Sequence, residues 1–388
     1  MLLRSVVYHI LTLVNTTVPF LEKIDGDFVV ELVKENGFNV KRHEIWTQDG
    51  YGLTLHQVIN QSPSTRNSVI LVHGLLACGG QWVVNGNKSL AFALSSVGYD
   101  VWILHHRGTS FSNKHKTRSY DDESYWNFSF EEMGLNDIPA AIDYVLKFAN
   151  RTKLHVVGHS QGAAALLTGI ILRPELNDKI ISAYILNPAI FLHHLYEIPN
   201  EIVHDVVELS YKRKMFKSLL RSSLFRLLGQ VVCEQPLVGI ACTGFLADLF
   251  GGNSLQAENP QNLLRTYTKY VIDNASYKQM NHLVQVLDAK QFQRYDYGPK
   301  MNRKLYNGSL KPPPFDLSLI QIPLTIMYGT IDGLTSATDV KILINHIKNI
   351  EGIIKLPWNH LDVIHSKNAD KWINSPVINS MNKYQTYY

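Results

Sequence analysis

Ser160 is the residue whose neighbours point most directly to chemistry. It lies at the centre of Gly158-His159-Ser160-Gln161-Gly162, a G-x-S-x-G pattern. The β-branched run at 154–157 predicts a buried strand before it, and the apolar run at 163–172 predicts a buried helix after it. A strand, a tight turn flanked by small residues and a helix are typical of a nucleophile elbow, which holds a serine hydroxyl above a sheet.

A serine hydroxyl is a poor nucleophile at neutral pH, so it needs a base and a group that orients the base. On a parallel sheet these groups come from loops at the C-terminal strand ends, in the chain order Ser, acid, His. Asp332 follows a predicted strand at 323–328, and His360 follows another at 352–356. We therefore expect Asp332 to orient His360, and His360 to act as general base and then general acid. The alternatives, which fall in predicted helices, are Asp339, His346 and His365.

The oxyanion that develops during acyl transfer needs two backbone N–H donors. The residue after the nucleophile supplies one, which predicts the N–H of Gln161. The second is expected from the turn after the predicted strand at 68–72, where Gly74 allows close backbone approach and Leu75 follows. His73 and His159 are expected to shape these turns. We expect no metal and no cofactor.

The elements that must position these residues follow an α/β pattern. Strands and helices alternate from 69 to 186, which predicts a mostly parallel central sheet covered on both faces. The alternation lapses over 190–310, which is helical and irregular, and resumes after three consecutive prolines. We predict one α/β core, formed by residues 20–189 and 311–388, that an inserted helical cap or lid at 190–310 interrupts.

Length and composition limit the possible classes of protein. The chain has 388 residues, of which 45% are hydrophobic and 18% charged, enough for one large domain with an insertion. A formal charge of +4 without a basic block argues against nucleic acid as a partner. The 16 histidines leave two interpretations open. Most could become charged near pH 5 and attract an anionic lipid surface, or they could simply be a histidine-rich surface.

The first 19 residues predict targeting to the secretory pathway. A charged start, a short apolar stretch and small polar residues have the layout of a signal peptide, at 1–19. A plain N-terminal helix is the alternative. No other apolar run is long and clean enough to cross a bilayer, so we expect no transmembrane anchor. Nothing in the sequence indicates an oligomeric state.

Two further features suit an oxidising compartment. Cys233 and Cys242 are spaced for a small disulfide loop, which would leave Cys78 as a single thiol; two reduced cysteines are the alternative. Six N-x-S/T triplets are candidate glycosylation sites, and they lie at Asn60, Asn87, Asn127, Asn150, Asn274 and Asn307.

These motifs together resemble the acid lipases, the gastric and lysosomal lipase family, over nearly the whole chain. The matching segments are His73-Gly74-Leu75-Leu76, Gly158-His159-Ser160-Gln161-Gly162, Tyr328-Gly329 with Asp332, Asp339-Val340 and Asn359-His360-Leu361-Asp362. Cys233 and Cys242 match the family's cap disulfide in spacing. The resemblance implies an α/β-hydrolase fold with a helical cap and lid, and residence in the lysosome or outside the cell. It also implies hydrolysis of triacylglycerols or cholesteryl esters at a lipid–water interface.

Two segments depart from the family pattern. The family's N-x-R-G-N turn is His105-His106-Arg107-Gly108-Thr109 here, and Cys78 lies just past the predicted oxyanion loop. Both could change substrate preference. A short-chain esterase, an acyltransferase and a non-catalytic lipid-binding protein on the same fold are the alternative functions.

Overall fold

The computed structural model describes residues 27–62, 64–194 and 266–384. A nine-stranded sheet forms its centre, and its strands are β1 Asn39–Trp46, β2 Tyr51–Ile59, β3 Ser68–Val72, β4 Asp100–His105, β5 Lys114–His115, β6 Leu154–His159, β7 Ile180–Leu186, β8 Leu324–Gly329 and β9 Ile350–Leu356. The strand order is β1-β2-β4-β3-β6-β7-β8-β9, with β5 paired to β2. The pairs among β1, β2, β4 and β5 are antiparallel, whereas β4, β3, β6, β7, β8 and β9 are parallel to one another.

Within the described ranges, eight longer helices accompany the sheet. They are α1 Phe28–Glu35, α2 Leu90–Ser96, α3 Ile138–Ala149, α4 Gln161–Leu172, α5 Tyr277–Ala289, α6 Pro299–Leu305, α7 Ala337–His346 and α8 Ser375–Asn382. A capping box begins at Ser129, because the Ser129 side chain accepts a backbone N–H of the first turn while the Glu132 carboxylate accepts the N–H of Ser129.

The central strands are apolar on both faces because helices cover both faces. Ile70 and Val72 belong to one buried cluster, which includes the inner faces of α3 and α4. Val69 and Leu71 point the other way, into a second cluster that includes α1, α2 and α8. Each fully buried side chain of this size contributes roughly 1.5–3 kcal/mol to folding. The continuous apolar run of β3 follows directly from this two-sided burial.

The structure agrees with the sequence prediction in the order of strands and helices but differs in some bounds. The strands predicted at 323–328 and 352–356 are Leu324–Gly329 and Ile350–Leu356, and a π-helical segment at Asp370–Asn374 leads directly into α8. Residues 1–19, with the predicted signal peptide, and residues 195–265 lie outside the described residues. The cap bounds of 190 and 310 therefore stay predictions. Val286, Leu287 and Phe292, within the predicted cap, pack in the main core cluster.

Candidate active site

Ser160 occupies the sharp turn between β6 and α4. Its backbone has φ +54° and ψ −122°, a conformation that costs a non-glycine residue roughly 1–3 kcal/mol. Two glycines close the turn. A Cβ on Gly158 would lie 3.0 Å from the backbone of Ala163, and one on Gly162 would lie 2.5 Å from the carbonyl oxygen of His73. The G-x-S-x-G spacing thus reflects backbone segments that no larger residue could bring so close.

The structure brings Ser160, His360 and Asp332 together. Ser160 Oγ lies 2.9 Å from His360 Nε2, and Nδ1 of the same ring lies 2.8 Å from Asp332 Oδ2. All three residues are buried. They follow β6, β9 and β8 respectively, and these parallel strands end at one edge of the sheet. The distances are those that a nucleophile, a general base and an orienting carboxylate require.

The loop after β8 fixes the carboxylate of Asp332. Its Oδ1 accepts the N–H groups of Leu334 and Thr335, each at 2.8 Å, and its Oδ2 accepts the Thr335 hydroxyl at 2.6 Å. Since this carboxylate accepts, Nδ1 of His360 carries the proton that faces it. Nε2 of His360 is then left bare toward the serine hydroxyl, which is the tautomer that a general base needs.

The rival residues are bonded elsewhere. Asp339 accepts the backbone N–H and Nδ1 of His194, at 3.1 and 2.8 Å. His346 Nδ1 bonds to the carbonyl oxygen of Ile342 within α7, at 2.8 Å. The His365 ring packs on Tyr267, with ring centroids 4.6 Å apart.

Asn187, just past β7, is a site residue that the sequence reasoning missed. Its side-chain nitrogen donates to the carbonyl oxygens of Asn359 and His360, at 3.2 and 3.1 Å. Its side-chain oxygen accepts the N–H of Gly329 at 2.8 Å. Asn187 is buried and has a positive φ of +42°, which asparagine tolerates better than most residues. The signal available in the sequence was an Asn-Pro pair directly after a predicted strand.

His159 bonds to the same backbone carbonyl of His360 as Asn187 does. Its Nε2 lies 3.2 Å from the carbonyl oxygen of His360, so Nε2 must carry the proton. Burial, with the nearby His360 ring, lowers the pKa of His159 well below its usual value. Burial likewise lowers the pKa of His73 to about 3. Both rings are therefore neutral and add no positive charge beside Ser160, in keeping with turn-shaping roles.

The predicted oxyanion donors belong to the two backbone segments beside the nucleophile. Gly74 lies against Ser160, since a Cβ there would be 3.1 Å from the serine Cβ, and Leu75 follows directly. Gln161 is the first residue of α4, where backbone N–H groups have no partner within the helix. Within the described ranges, neither the Leu75 nor the Gln161 N–H has a hydrogen-bond acceptor. Both are thus available to an incoming oxygen, at a helix N-terminus that favours negative charge.

Most described histidines are inside the protein, so both interpretations of the histidine content were wrong. Ten of the fourteen described are buried. Several of them link elements through hydrogen bonds of their rings. Gly79 N–H donates to His105 Nδ1 at 3.2 Å, His105 Nε2 lies 2.9 Å from His56 Nδ1, and His56 Nε2 lies 2.7 Å from Asp27. Along this series, each ring accepts one hydrogen bond and donates one N–H, in the direction of the carboxylate.

One cluster in the described part of the chain contains three potential metal ligands, His193, His194 and Asp339. Their ligand atoms lie within 4.8 Å of one another. His194 Nδ1 and Asp339 Oδ1, at 2.8 Å, already form a hydrogen-bonded pair. The cluster joins the segment after β7 to α7, and it is separate from the Ser160 hydrogen-bond network.

The candidate glycosylation sites fall into two groups. The exposed ones are Asn87, Asn127, Asn150 and Asn307. Asn60 and Asn274 are half-buried, and their side-chain nitrogens donate to the carbonyl oxygen of Ser95 and the hydroxyl of Tyr120, at 3.1 and 2.9 Å. A glycan is attached through that same nitrogen.

The predicted disulfide partners, Cys233 and Cys242, lie outside the described residues. Cys78 is buried, with its sulfur 3.5 Å from the carbonyl oxygen of Tyr270. Over the stretches that the structure describes, no helix has the length and apolarity needed to cross a membrane.

Two family profiles match the chain. A family profile described as the alpha/beta hydrolase fold matches residues 67–366, and one described as a partial alpha/beta-hydrolase lipase region matches residues 29–86. The chain is 30% identical over 369 residues to human lipase member N, covering 91% of this chain and 90% of the relative.

It is also 30% identical over 373 residues to human lysosomal acid lipase/cholesteryl ester hydrolase, covering 92% of this chain and 91% of the relative. The crystal structure of a putative lipase from Sulfolobus solfataricus superposes with a TM-score of 0.60 over 90% of this chain and 94% of that one. At 15% identity, that likeness bears on the fold alone.

Proposed function

The chain belongs to the acid lipase family of the α/β-hydrolase superfamily and is a carboxylic ester hydrolase of the lipase type, and from that premise we propose that it cleaves neutral-lipid esters, triacylglycerols or cholesteryl esters, through an acyl-enzyme on Ser160. The observation that carries the proposal is the pair of contacts made by His360, 2.9 Å to Ser160 Oγ and 2.8 Å to Asp332.

The first half-reaction forms the acyl-enzyme. Ser160 Oγ attacks the ester carbonyl carbon while His360 Nε2 takes the hydroxyl proton. The carbonyl oxygen becomes an oxyanion that accepts the N–H groups of Leu75 and Gln161, each typically worth roughly 3 kcal/mol. The tetrahedral intermediate then collapses, the C–O bond to the alcohol breaks, and His360 returns its proton to the leaving oxygen.

The second half-reaction releases the fatty acid. Water attacks the acyl carbon as His360 Nε2 takes one of its protons, and the same two N–H groups receive the oxyanion. The bond from the acyl carbon to Ser160 Oγ breaks, and the serine regains its proton from His360. Asp332 stays ionised throughout and stabilises the protonated ring.

The compartment belongs to the same proposal. The name of the human relative at 30% identity is lysosomal acid lipase/cholesteryl ester hydrolase, which supports passage through the secretory pathway, to the lysosome or the exterior. A signal peptide at 1–19, a disulfide between Cys233 and Cys242 and glycans on exposed sequons suit such a route. The substrate would be met at a lipid–water interface.

The test combines a covalent label with a substrate panel. A fluorophosphonate should label the wild type and the surface variant Ser64→Ala, but not Ser160→Ala. Triolein, cholesteryl oleate and p-nitrophenyl butyrate, assayed with and without a competing alcohol, separate a neutral-lipid lipase from a short-chain esterase and an acyltransferase. Labelling without turnover of either long-chain lipid ester would contradict the proposed substrate class, and no labelling would contradict the proposed nucleophile.

A further inference from the structure

The segment at 267–274, which follows residues outside the described part, lies against the oxyanion loop (residues 73–76) and its continuation. The N–H of Asp273 donates to the carbonyl oxygen of Leu76, and the N–H of Cys78 donates to that of Val271, both at 3.0 Å. Ala77 and Ile272 between them form an antiparallel bridge. Residues 76–78 and 271–273 are thus a short two-stranded ladder.

The ladder holds Leu76 in a conformation that leucine disfavours. Leu76 has a φ of +55°, in the left-handed region that costs a residue with a Cβ roughly 1–2 kcal/mol. The bond from Asp273 fixes its carbonyl group. On the other side, Gly74 donates its N–H to the side-chain oxygen of Gln81 at 3.3 Å. The N–H of Leu75 lies between these two fixed groups, the N–H of Gly74 and the carbonyl group of Leu76.

The carboxylate of Asp273 anchors the ladder to the core. It is fully buried, and it accepts the Ser110 N–H at 3.0 and 3.1 Å and the Ser110 hydroxyl at 2.9 Å. It also accepts the N–H of Asn274 at 2.8 Å. Ser110 lies in the turn after β4, between Gly108 and Ser112, which are bonded to each other through their backbones. A buried carboxylate that accepts hydrogen bonds from several donors is a rigid anchor.

We propose that Asp273 is a positioning residue for the oxyanion hole: its carboxylate, bonded to Ser110, holds residues 271–273 so that their ladder keeps Leu76 at positive φ and the Leu75 N–H directed at the oxyanion. This inference rests on the proposed function, because it assigns a role only if Leu75 is an oxyanion donor. It adds that a segment within the predicted cap helps determine the rate of the chemical step.

Asp273→Asn tests the role of the carboxylate at nearly constant volume. The amide has one acceptor oxygen, and its NH2 group would meet donors at Ser110 and Asn274, so the anchor weakens. Without the anchor, Leu76 should relax toward negative φ and turn the Leu75 N–H away. Because losing one oxyanion donor costs about 10²–10³ in kcat, partial loss should lower kcat by about tenfold to a hundredfold. KM for soluble p-nitrophenyl butyrate should change less than about threefold.

The second substitution, Leu76→Gly, separates positioning from general disruption. Glycine adopts positive φ without strain, so the loop should keep its shape when the anchor is weak. The Asp273→Asn effect on kcat should therefore shrink to less than about threefold in the Leu76→Gly background. Affinity for an alkyl boronic acid, which places a boron-bound oxygen in the hole, should follow kcat. Asp316→Asn, at an exposed capping aspartate that accepts the Ser318 N–H, is the matched control.

Three results would overturn the inference: an unchanged kcat in Asp273→Asn, an equal loss in both backgrounds, or a loss of kcat without loss of boronic acid affinity.

If Asp273→Asn fails to fold, Ser110→Ala removes only the hydroxyl donor and should lower kcat by about threefold to tenfold. The loss should again be smaller in the Leu76→Gly background, and an unchanged kcat in Ser110→Ala would overturn the inference. A wild type without fluorophosphonate labelling or ester turnover would instead contradict the proposed function.

Discussion

The side-chain nitrogen of Asn187 lies 3.1 Å from the carbonyl oxygen of His360. Through this bond, the end of β7 fixes the backbone of the residue proposed as the general base, while the Asn187 oxygen fixes the end of β8 at Gly329. One buried amide therefore sets the spacing between the loops that carry His360 and Asp332.

Substitutions of Asn187 should distinguish its effect on the positions of the catalytic groups from its effect on the stability of the fold. Asn187→Ala loses three hydrogen bonds worth about 1 kcal/mol each and keeps an unfavourable positive φ, so unfolding free energy should fall by roughly 3–4 kcal/mol. Asn187→Gly loses the same bonds without that strain and should be the more stable variant. Both should lose at least roughly tenfold in kcat, since small misplacements of a catalytic group are costly. Urea denaturation with ester kinetics measures this, and a wild-type kcat in either variant would refute the positioning role.

The proposed triad should behave as one unit. Ser160→Ala should lower kcat on the order of a millionfold, by analogy with other serine triads, and His360→Ala by a similar factor. The double variant should be no slower than Ser160→Ala, because neither residue can act without the other. Initial rates on p-nitrophenyl butyrate test this. Multiplicative losses in the double variant would show that the two residues act independently.

Stability should fall as the pH drops below about 6.5. Burial lowers the pKa of His73, His155 and His365 to about 3 and that of His282 to about 4. The unfolded chain, with histidine pKa values near 6.5, binds more protons than the folded chain between these limits. Each such histidine therefore costs about 2 kcal/mol at pH 5 relative to pH 7, in a protein whose total stability is of order 5–15 kcal/mol.

Melting temperatures measured from pH 7 to pH 5 check this expectation. His155→Gln provides the comparison, because it removes one depressed pKa at a position where the ring bonds Ser182 through Nδ1. Its melting temperature should depend less steeply on pH than that of the wild type. Equal melting temperatures at pH 7 and pH 5 in the wild type would contradict the protonation argument.

Glycan occupancy should follow side-chain exposure. In protein secreted from eukaryotic cells, we expect glycans on the exposed sequons, which are Asn87, Asn127, Asn150 and Asn307. Asn60 and Asn274 should be unmodified, because a glycan would break the bonds their side-chain nitrogens donate to Ser95 and Tyr120. Glycopeptide mass spectrometry distinguishes the two sets. Full occupancy at Asn274 would show that the contact with Tyr120 does not form during synthesis.

The sequence predicts those residues of the site that can be recognised from a local pattern and from chain order. The strand–turn–helix around Ser160 is a local pattern, and the order Ser, acid, His selects Asp332 and His360 once β8 and β9 are recognised. Asn187 and Asp273 were missed for a physical reason. Their partners are distant in sequence, with Asn187 bonded to a residue 173 positions away and Asp273 to one 163 positions away, and no periodicity encodes such pairs.

The histidines show the opposite error. Composition alone suggested a surface that charges at acid pH, but paired side chains allow polar rings to be buried. His56 and His105, for example, are both buried and satisfy each other. Burial of a polar residue depends on whether a partner meets it in three dimensions, and a residue count contains no such information.

The placement of His360 beyond β9 has a consequence for biosynthesis. β9 is the last strand of the sheet to be synthesised, and the loop after it carries the proposed base, 200 residues beyond Ser160. While the ribosome is still translating earlier parts of the chain, the serine has no imidazole to take its proton. A chain that ends before this loop therefore lacks the proposed base and cannot activate Ser160 toward an ester, so ester hydrolysis cannot begin before residue 360 has been translated.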